Sequence, residues 1–447
     1  MRLLATLLPL GCALTTGLAF QSLSTSPTGT RSTTRGCCTQ LFSAAVTMVD
    51  IDESAARDIV TMDQWAAAYG VQRAEGFQLT PTSEDGRDIG VMTTQGLPAN
   101  SPVLLVPSPM ILSSNLAIQE FGRVKAAEDL LSGTTDEELS HFYLFLKILK
   151  EYGMGDQSPW YPWLNSLPRY FSNGGAMTHF CASECLPPFV GNLVMKERAR
   201  FTQFYRALQD VDFLSSQSKG NDVAKWAFNI VCTRAFDDGS GDYKIAPMAD
   251  MFNHGTEADI QISYDQEGNC YAQTIRDVPA GAPLQISYTG GDNTNPSFLL
   301  ARYGFLDETS PASFCKIMIA NPTKQLLDMG YDYSRMLFYK DTGEVSPEVW
   351  DVLLYQILGS INTEYQEALY QAHINGDYQT KQALHENYFS ETSNALHNHV
   401  DIILFQLNEL ERTLSSKNVD LLPRIPLIRR HNDFVKQTFM AVKAQLG

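Results

Sequence analysis

Apolar positions along the chain change period several times. Residues 60–112 mix one short helix with strand-like pieces. Thr61 and Asp63 are placed to cap a helix that carries Trp65 and Tyr69 and stops at Gly70. Gly76-Phe77-Gln78-Leu79 and Ile89-Gly90-Val91-Met92 flank a turn-rich stretch, Ser83 to Gly86, and Val103 to Val106 reads as a buried strand. Over 113–232 the period becomes helical, with Leu139, Phe142, Tyr143, Leu146 and Leu149 recurring between Glu138 and Tyr152. Gly153 to Pro168 breaks that period with WYPWLNSLP and is expected to be an aromatic loop. A helix over Asn221 to Phe236 has the apolar stripe Val223, Trp226, Ala227 and Ile230, and Arg234 falls on the same stripe. An arginine there must meet an anion or a carboxylate, because an unpaired buried charge is too costly.

Strand character returns over 245–305. Ile260 to Tyr264 alternates, Asp265 to Asn269 is a hairpin connection, and Cys270 to Val278 and Leu284 to Tyr288 continue the pattern. Beyond about 311 the chain is helical again. Ser346-Pro347-Glu348 starts a helix expected to run to Asn375-Gly376, followed by helices over Tyr378–Phe389, Ser393–Leu414 and Asn432–Ala444. That stretch is long enough to fold as a domain of its own.

Composition adds an address. The 447 residues are 44% hydrophobic and 19% charged, which is globular, and the net charge of −17 argues against a nucleic-acid binder that tracks phosphates. The charge is unevenly spread: residues 1–49 contain no acid and only Arg2, Arg31 and Arg35. Within 1–19, Arg2 precedes the apolar run Leu3 to Leu10 and small residues close at Ala19, as in a signal peptide. Residues 20–49 are transit-like, headed by Phe20, with nine Ser or Thr among the fifteen residues from Gln21 to Arg35. The two parts together resemble the bipartite presequence of secondary plastids, which implies the plastid stroma, with secretion as the alternative.

No run after residue 49 is apolar and long enough to span a membrane, so no stable membrane insertion is expected. Cys12, Cys37 and Cys38 fall in the presequence, and the remaining Cys181, Cys185, Cys232, Cys270 and Cys315 are too sparse for a disulfide framework. His179, Cys181 and Cys185 have part of a metal-ligand spacing, but no second cysteine pair follows, and no metal is expected. His397-Asn398-His399 lies on an expected helix and reads as a polar face.

Three blocks carry the chemistry: Ala246-Pro-Met-Ala-Asp250-Met-Phe-Asn253-His254, Gln285-Ile-Ser-Tyr288 and Tyr303-Gly304-Phe305. Upstream stand Ser158-Pro-Trp-Tyr-Pro-Trp163-Leu with Leu167-Pro168, and Trp226-Ala227 followed by Thr233-Arg234-Ala235-Phe236. In this order the blocks resemble the SET-domain protein methyltransferases, in the branch of the Rubisco large-subunit lysine methyltransferases. The resemblance implies an α+β fold: a SET-domain β-fold with a knot-like crossing over 60–310, split by a helical insert at about 113–232. An all-α substrate-binding domain would follow over 311–447.

The resemblance also implies S-adenosylmethionine as cofactor and a plastid stromal protein as substrate, of the Rubisco large-subunit or aldolase type. Tyr288 would be the phenol at the methyl-transfer pore, and Tyr303 would line the cofactor and lysine channel beside it. Asn253 and His254 would contact the cofactor, and Arg234 would meet the cofactor's carboxylate or an acidic neighbour. Asp250 would brace the turn, and the backbone at Gly86 would approach the cofactor. Methyl transfer needs an in-line path to an uncharged nucleophile, and phenols suit a narrow apolar channel in which a hydroxyl orients the amine lone pair or accepts its proton.

The sequence departs from the pattern in three places. Gly86 and Gly90 lie four apart, Asn295-Pro296-Ser297 displaces an asparagine by one, and Gly281 to Leu284 lacks an acid. Two other readings stay open: methylation of a histidine on the same fold, and a SET-derived binding module without turnover.

Overall fold

A computed structural model describes residues 46–447, apart from 84–85, 289–294, 311, 315–322, 332–335 and 419–421. The expected presequence up to residue 45 lies outside the described residues, as do Cys315, Glu84 and Asp85. Residues 46–49 belong to the folded part. Val49 is 2% exposed in the main core, and Thr47 O accepts the N–H of Asp156 at 2.8 Å.

The first helix, α1 (Ile59–Ala68), begins one turn earlier than its expected caps. Asp58, rather than Thr61 or Asp63, is the N-cap, accepting from Thr61 N at 3.0 Å. Four strands follow: β1 (Gln72–Arg73), β2 (Phe77–Pro81), β3 (Ile89–Thr93) and β4 (Pro102–Val106). The chain then leaves through β5 (Leu112–Ser113) into a helical insert of α2 (Ser114–Phe121), α3 (Lys125–Leu130), α4 (Asp136–Met154), α5 (Tyr161–Ser166), α6 (His179–Glu184), α7 (Pro188–Gln209) and α8 (Asn221–Arg234). It returns through β6 (Phe236–Asp237) and β7 (Tyr243–Ile245).

The insert's two ends hold each other. Leu112 pairs with Ile245 and Ser113 with Lys244 in antiparallel register. The Asp242 carboxylate accepts from Ser113 Oγ, from Ser114 Oγ at 2.8 Å and from Asn115 N at 3.0 Å. Inside the insert, α4 opens with a capping box between Thr135 and Glu138 and buries Phe142, Tyr143, Leu146 and Leu149 as their spacing requires. The expected aromatic loop at 153–168 contains α5 instead, because Pro162 in the first turn fits a helix start and Trp163 and Leu164 are buried.

The second half of the strand region adds β8 (Asn253–His254), β9 (Ile260–Tyr264), β10 (Cys270–Thr274) and β11 (Pro283–Ile286). Two four-stranded sheets result, ordered β1-β4-β10-β9 and β2-β3-β11-β8, with the three-stranded β5-β7-β6 beside them. The pairings in these sheets are antiparallel except β8 with β11, where Asn253 faces Gln285 and His254 faces Ile286 in parallel register. That pairing brings two of the three sequence blocks side by side.

After α9 (Pro296–Arg302), a two-stranded sheet of β12 (Ala312–Phe314) and β13 (Leu337–Tyr339) flanks α10 (Lys324–Asp328) and introduces the helical C-terminal region. The helix starting at Pro347 does not run to Asn375. It divides into α11 (Pro347–Ile361) and α12 (Thr363–Asn375), because Asn362 takes an extended backbone and caps the second helix through Glu364 N at 2.8 Å. The remaining helices are α13 (Tyr378–Asn387), α14 (Phe389–Ser415) and α15 (Ile425–Leu446).

This region has its own apolar core around Phe338 and Phe439, whose rings stack at 4.8 Å. A third cluster of Leu300, Leu414, Ile425 and Ile428 seams it to α6, α7 and α9. No helix among the described residues is long and apolar enough to cross a membrane.

Replacing Asp242 with Ala orphans two buried hydroxyls and unties the insert's ends. The expected loss of unfolding free energy is about 2–3 kcal/mol, read by urea denaturation.

Candidate active site

The site grows from the C-terminal end of α8. Arg234 reaches the tight turn Ala249–Met251, where its Nη1 donates to the Asp250 carbonyl and, at 3.1 Å, to Asp250 Oδ2. The Asp250 carboxylate is wholly buried and accepts a second bond from Trp163 Nε1 at 3.1 Å. Of the two partners expected for Arg234, the acidic neighbour is therefore present, and Asp250 stands as a brace. The Nε of Arg234 is buried with no partner among the described residues.

A second guanidinium joins it. Arg57 donates to Ser166 O at 2.6 Å and Arg87 O at 2.7 Å, and its Nη2 lies 3.7 Å from the Met251 sulfur that Arg234 also touches. No carboxylate pairs directly with Arg57 among the described residues. Burial, then the proximity of Arg234, pulls its pKa down to about 9. Arg169 stands close enough to add to that effect. Of the three guanidinium groups only Arg234 is bonded to a carboxylate among the described residues, with Asp88 and Asp50 acting on the others at longer range, an arrangement that can take a further anion. Arg57 was not anticipated, since it belongs to none of the sequence blocks. The one available signal was an arginine just ahead of a helix cap.

Asn253 sits against the first block. A Cβ added to Gly90 would lie 2.6 Å from Asn253 Nδ2 and 2.8 Å from Thr82 Cγ2, so Gly90 is the residue whose missing side chain lets β3 approach Asn253. Gly86 does not play that part. It closes a turn back to Ser83 O, and a Cβ there would meet open space. The four-residue spacing of the glycines left the choice open, and only the register of β3 resolves it.

Tyr288, Tyr303 and Phe305 form an aromatic box with His254. The Tyr288 and Tyr303 ring centroids are 4.8 Å apart, and His254 is 5.4 Å from Tyr288 and 5.6 Å from Phe305. The Tyr288 hydroxyl donates to Phe252 O at 2.9 Å, and the Tyr303 hydroxyl points at Tyr288 O, 3.4 Å away. Burial raises both phenol pKa values well above the ordinary. Tyr288 is therefore a neutral phenol whose one proton is engaged, and its lone pairs are what it offers to the box. Of the two roles expected of the hydroxyl, orienting an amine is the one this bonding leaves to it.

His254 is hydrogen-bonded on one ring edge and faces a carboxylate with the other. Its Nδ1 accepts the Tyr288 N–H at 3.2 Å, which puts the proton of the neutral ring on Nε2, 3.5 Å from Asp307 Oδ2. Asp307 also accepts from Thr256 and from the Thr309 backbone N–H at 3.0 Å. Burial alone would raise its pKa, but the bonds from His254, Thr256 and Thr309 outweigh it and hold the carboxyl below its usual range.

Asn295 caps α9, accepting from Ser297 N at 3.0 Å, so its displacement by one residue is absorbed in the helix start. His179, Cys181 and Cys185 make no metal cluster, and none is found among the described residues.

No family model matches this sequence, and no curated protein matches it. Solved structures do. "Structure of Rubisco LSMT bound to AdoMet" superposes with a TM-score of 0.59 at 16% identity, covering 88% of this chain and 92% of that one. "Crystal structure of the SET domain of LSMT bound to Lysine and AdoHcy" gives 0.62 at 17% identity with the same coverage. The chain has the SET-domain fold of Rubisco LSMT. An open cleft of about 810 Å³ runs between β6 and β9, with Ile286 and Ser287, the two residues before Tyr288 in the chain, on its wall. Both bordering strands end their sheets, so the cleft has unpaired strand edges on two sides.

A carboxyl held below its unfolded value stabilises the fold above that value and loses the contribution as the pH falls through the folded one. The native protein is expected to lose stability progressively below about pH 4, where an unfolded Asp begins to protonate. Asp307→Asn should flatten that acid limb, measured by denaturant midpoints from pH 6 to pH 2.

Proposed function

We propose that the chain is an S-adenosylmethionine-dependent protein-lysine N-methyltransferase acting on a stromal protein of a plastid. The observation that carries the reading is the convergence of two halves of one site: the cationic corner of Arg57 and Arg234, and the box of Tyr288, Tyr303 and Phe305. Arg234 is close enough to act on the Tyr288 phenol, and Asn253, packed over Gly90, begins the strand that pairs with the one leading to Tyr288.

The residues fit the cofactor. Its carboxylate would meet Arg57 and the unsatisfied Nε of Arg234, while Asn253's amide, which packs over Gly90 and donates to Thr82 Oγ1 at 3.4 Å, keeps a further N–H and its oxygen for the cofactor. When bound, S-adenosylmethionine supplies an electrophilic methyl group on a sulfonium. The chain's own work is positioning. The aromatic rings exclude water and narrow the path, and the Tyr288 oxygen orients an incoming amine through its lone pairs.

Tyr288 is too weak an acid, and too firmly bonded to Phe252 O, to exchange its proton during the reaction. The amine must therefore lose its proton to solvent before it enters. An unperturbed lysine has a pKa of about 10.4, so the rate is expected to climb with pH through the neutral range.

One solved neighbour is bound to AdoMet and another to lysine and AdoHcy, which supports this substrate class over histidine. The plastid assignment is supported by the composition of residues 1–49, and the Rubisco or aldolase type of substrate by the shared fold.

The test is transfer of label from tritiated S-adenosylmethionine to a plastid stromal extract by the full chain, with the modified residue found by mass spectrometry. Labelled lysine is the expected outcome. Labelled histidine, or binding without transfer, would replace this reading with one of the other two. Tyr288→Phe should slow transfer about 100-fold while calorimetric cofactor affinity stays within about threefold. Arg57→Ala should weaken that affinity by at least about tenfold.

A further inference from the structure

Tyr303 stands at the end of α9, and both of its chain neighbours are fixed by the helical insert. On one side is Arg302, 9% exposed. Its Nη1 lies 3.2 Å from Glu197 Oε2 on α7, and its Nη2 lies 2.7 Å from Glu137 Oε1 on α4. Its carbonyl accepts from Asn173 Nδ2 at 3.2 Å. On the other side is Gly304, at φ +86°, where a Cβ would lie 2.5 Å from Asn173 N and 2.7 Å from Ser172 C.

Glu197 is itself held. Arg200 Nη1 bonds it at 2.9 Å while Arg200 Nε lies 3.0 Å from Glu138. His141, Nδ1 3.3 Å from Arg200, is pushed down to about 3 by burial and that cation, and so stays neutral. Its ring packs edge-on against Tyr243. The result is a buried ladder of carboxylates and guanidiniums whose last rung is the residue before Tyr303.

We propose that Arg302 is a positioning residue: its paired carboxylates on α4 and α7 set where the Tyr303 ring stands in the aromatic box. The proposal rests on the reading of that box as the methyl-transfer pocket. Three observations separate this role from a generic buried ion pair. Arg302 adjoins a box residue in the chain. It bridges two different helices, so neither α4 nor α7 can shift without moving it. The Tyr303 hydroxyl is 3.4 Å from Tyr288 O, a distance that a shift of an ångström at the end of α9 would open fully. Lysine at 302 could engage only one of the two carboxylates, and methionine neither.

The experiment compares the full chain with Arg302→Met, Arg302→Lys and Glu197→Gln. Label transfer from tritiated S-adenosylmethionine into a fixed stromal extract gives an apparent maximal rate, and calorimetry gives the cofactor affinity. A loss of at least about tenfold in rate is expected for Arg302→Met, with affinity within about threefold and part of the rate regained in Arg302→Lys. A second reading uses chains labelled with ¹³C at the tyrosine ζ carbon, with the resonance assigned through Tyr303→Phe. The Tyr303 signal should move in Arg302→Met and in Glu197→Gln, while that of the exposed Tyr378 stays in place.

An unmoved Tyr303 signal overturns the proposal. So does a rate that falls only together with affinity and unfolding midpoint, with no gain from lysine. If the unaltered chain neither binds cofactor nor transfers label, the enzyme reading fails, and the resonance still decides whether Arg302 positions Tyr303.

Discussion

One buried carboxylate holds the site together. Asp250 joins three segments that are far apart in the chain: the end of α8 through Arg234, α5 through Trp163, and the turn that delivers Asn253 and His254. A wholly buried charge is tolerable only while its partners stay in place, so the contact is decisive in one direction. Loss of Arg234 would strand a carboxylate, and loss of Asp250 would strand a guanidinium beside two others. The strain of the residue just before that turn fits the same picture. Met248 holds a positive φ of 73° while fully buried, a conformation that persists only where the surroundings over-determine it.

From that point the geometry propagates through the backbone. The turn leads into β8, whose parallel pairing with β11 sets Tyr288 beside His254, and the His254 ring then fixes the Tyr288 N–H and reaches Asp307. The aromatic box is thus a consequence of sheet register, and its chemistry is neutral. Both phenols keep their protons, the imidazole has a defined tautomer, and the cations stand apart at the other corner. A pocket of this kind selects and aligns. Among the described residues it has no side chain poised to take a proton from an amine.

Much of this was legible in the sequence because it follows short-range rules. The stripe on α4, the alternation of Ile260 to Tyr264, the hairpin at Asp265 to Asn269 and the start at Pro347 all read through local periodicity and capping. The demand that Arg234 find an anion or a carboxylate was met by Asp250, because desolvation cost is independent of fold. What stayed hidden depends on contacts between distant residues. Gly90 rather than Gly86 meets Asn253 because β3 pairs with β2 and β11 in one register, and spacing alone does not contain that register. Arg57 lies outside each block and gains meaning only beside Met251. Asn362 divides a helix where the apolar pattern runs on, since its side chain caps the following turn. WYPWLNSLP breaks the helical period and reads as a loop, whereas Pro162, in the first turn of α5, is compatible with the helix from which Trp163 reaches Asp250.

The central claim is that the cationic corner and the cradle at Gly90 hold a sulfonium nucleoside by its amino-acid arm. The most direct measurement is calorimetric titration of the full chain with S-adenosylmethionine and, separately, with 5′-methylthioadenosine, which lacks that arm and its carboxylate. The account predicts saturable binding of S-adenosylmethionine and at least about tenfold weaker binding of the truncated nucleoside. Equal affinity for the two, or no binding of either, would contradict it.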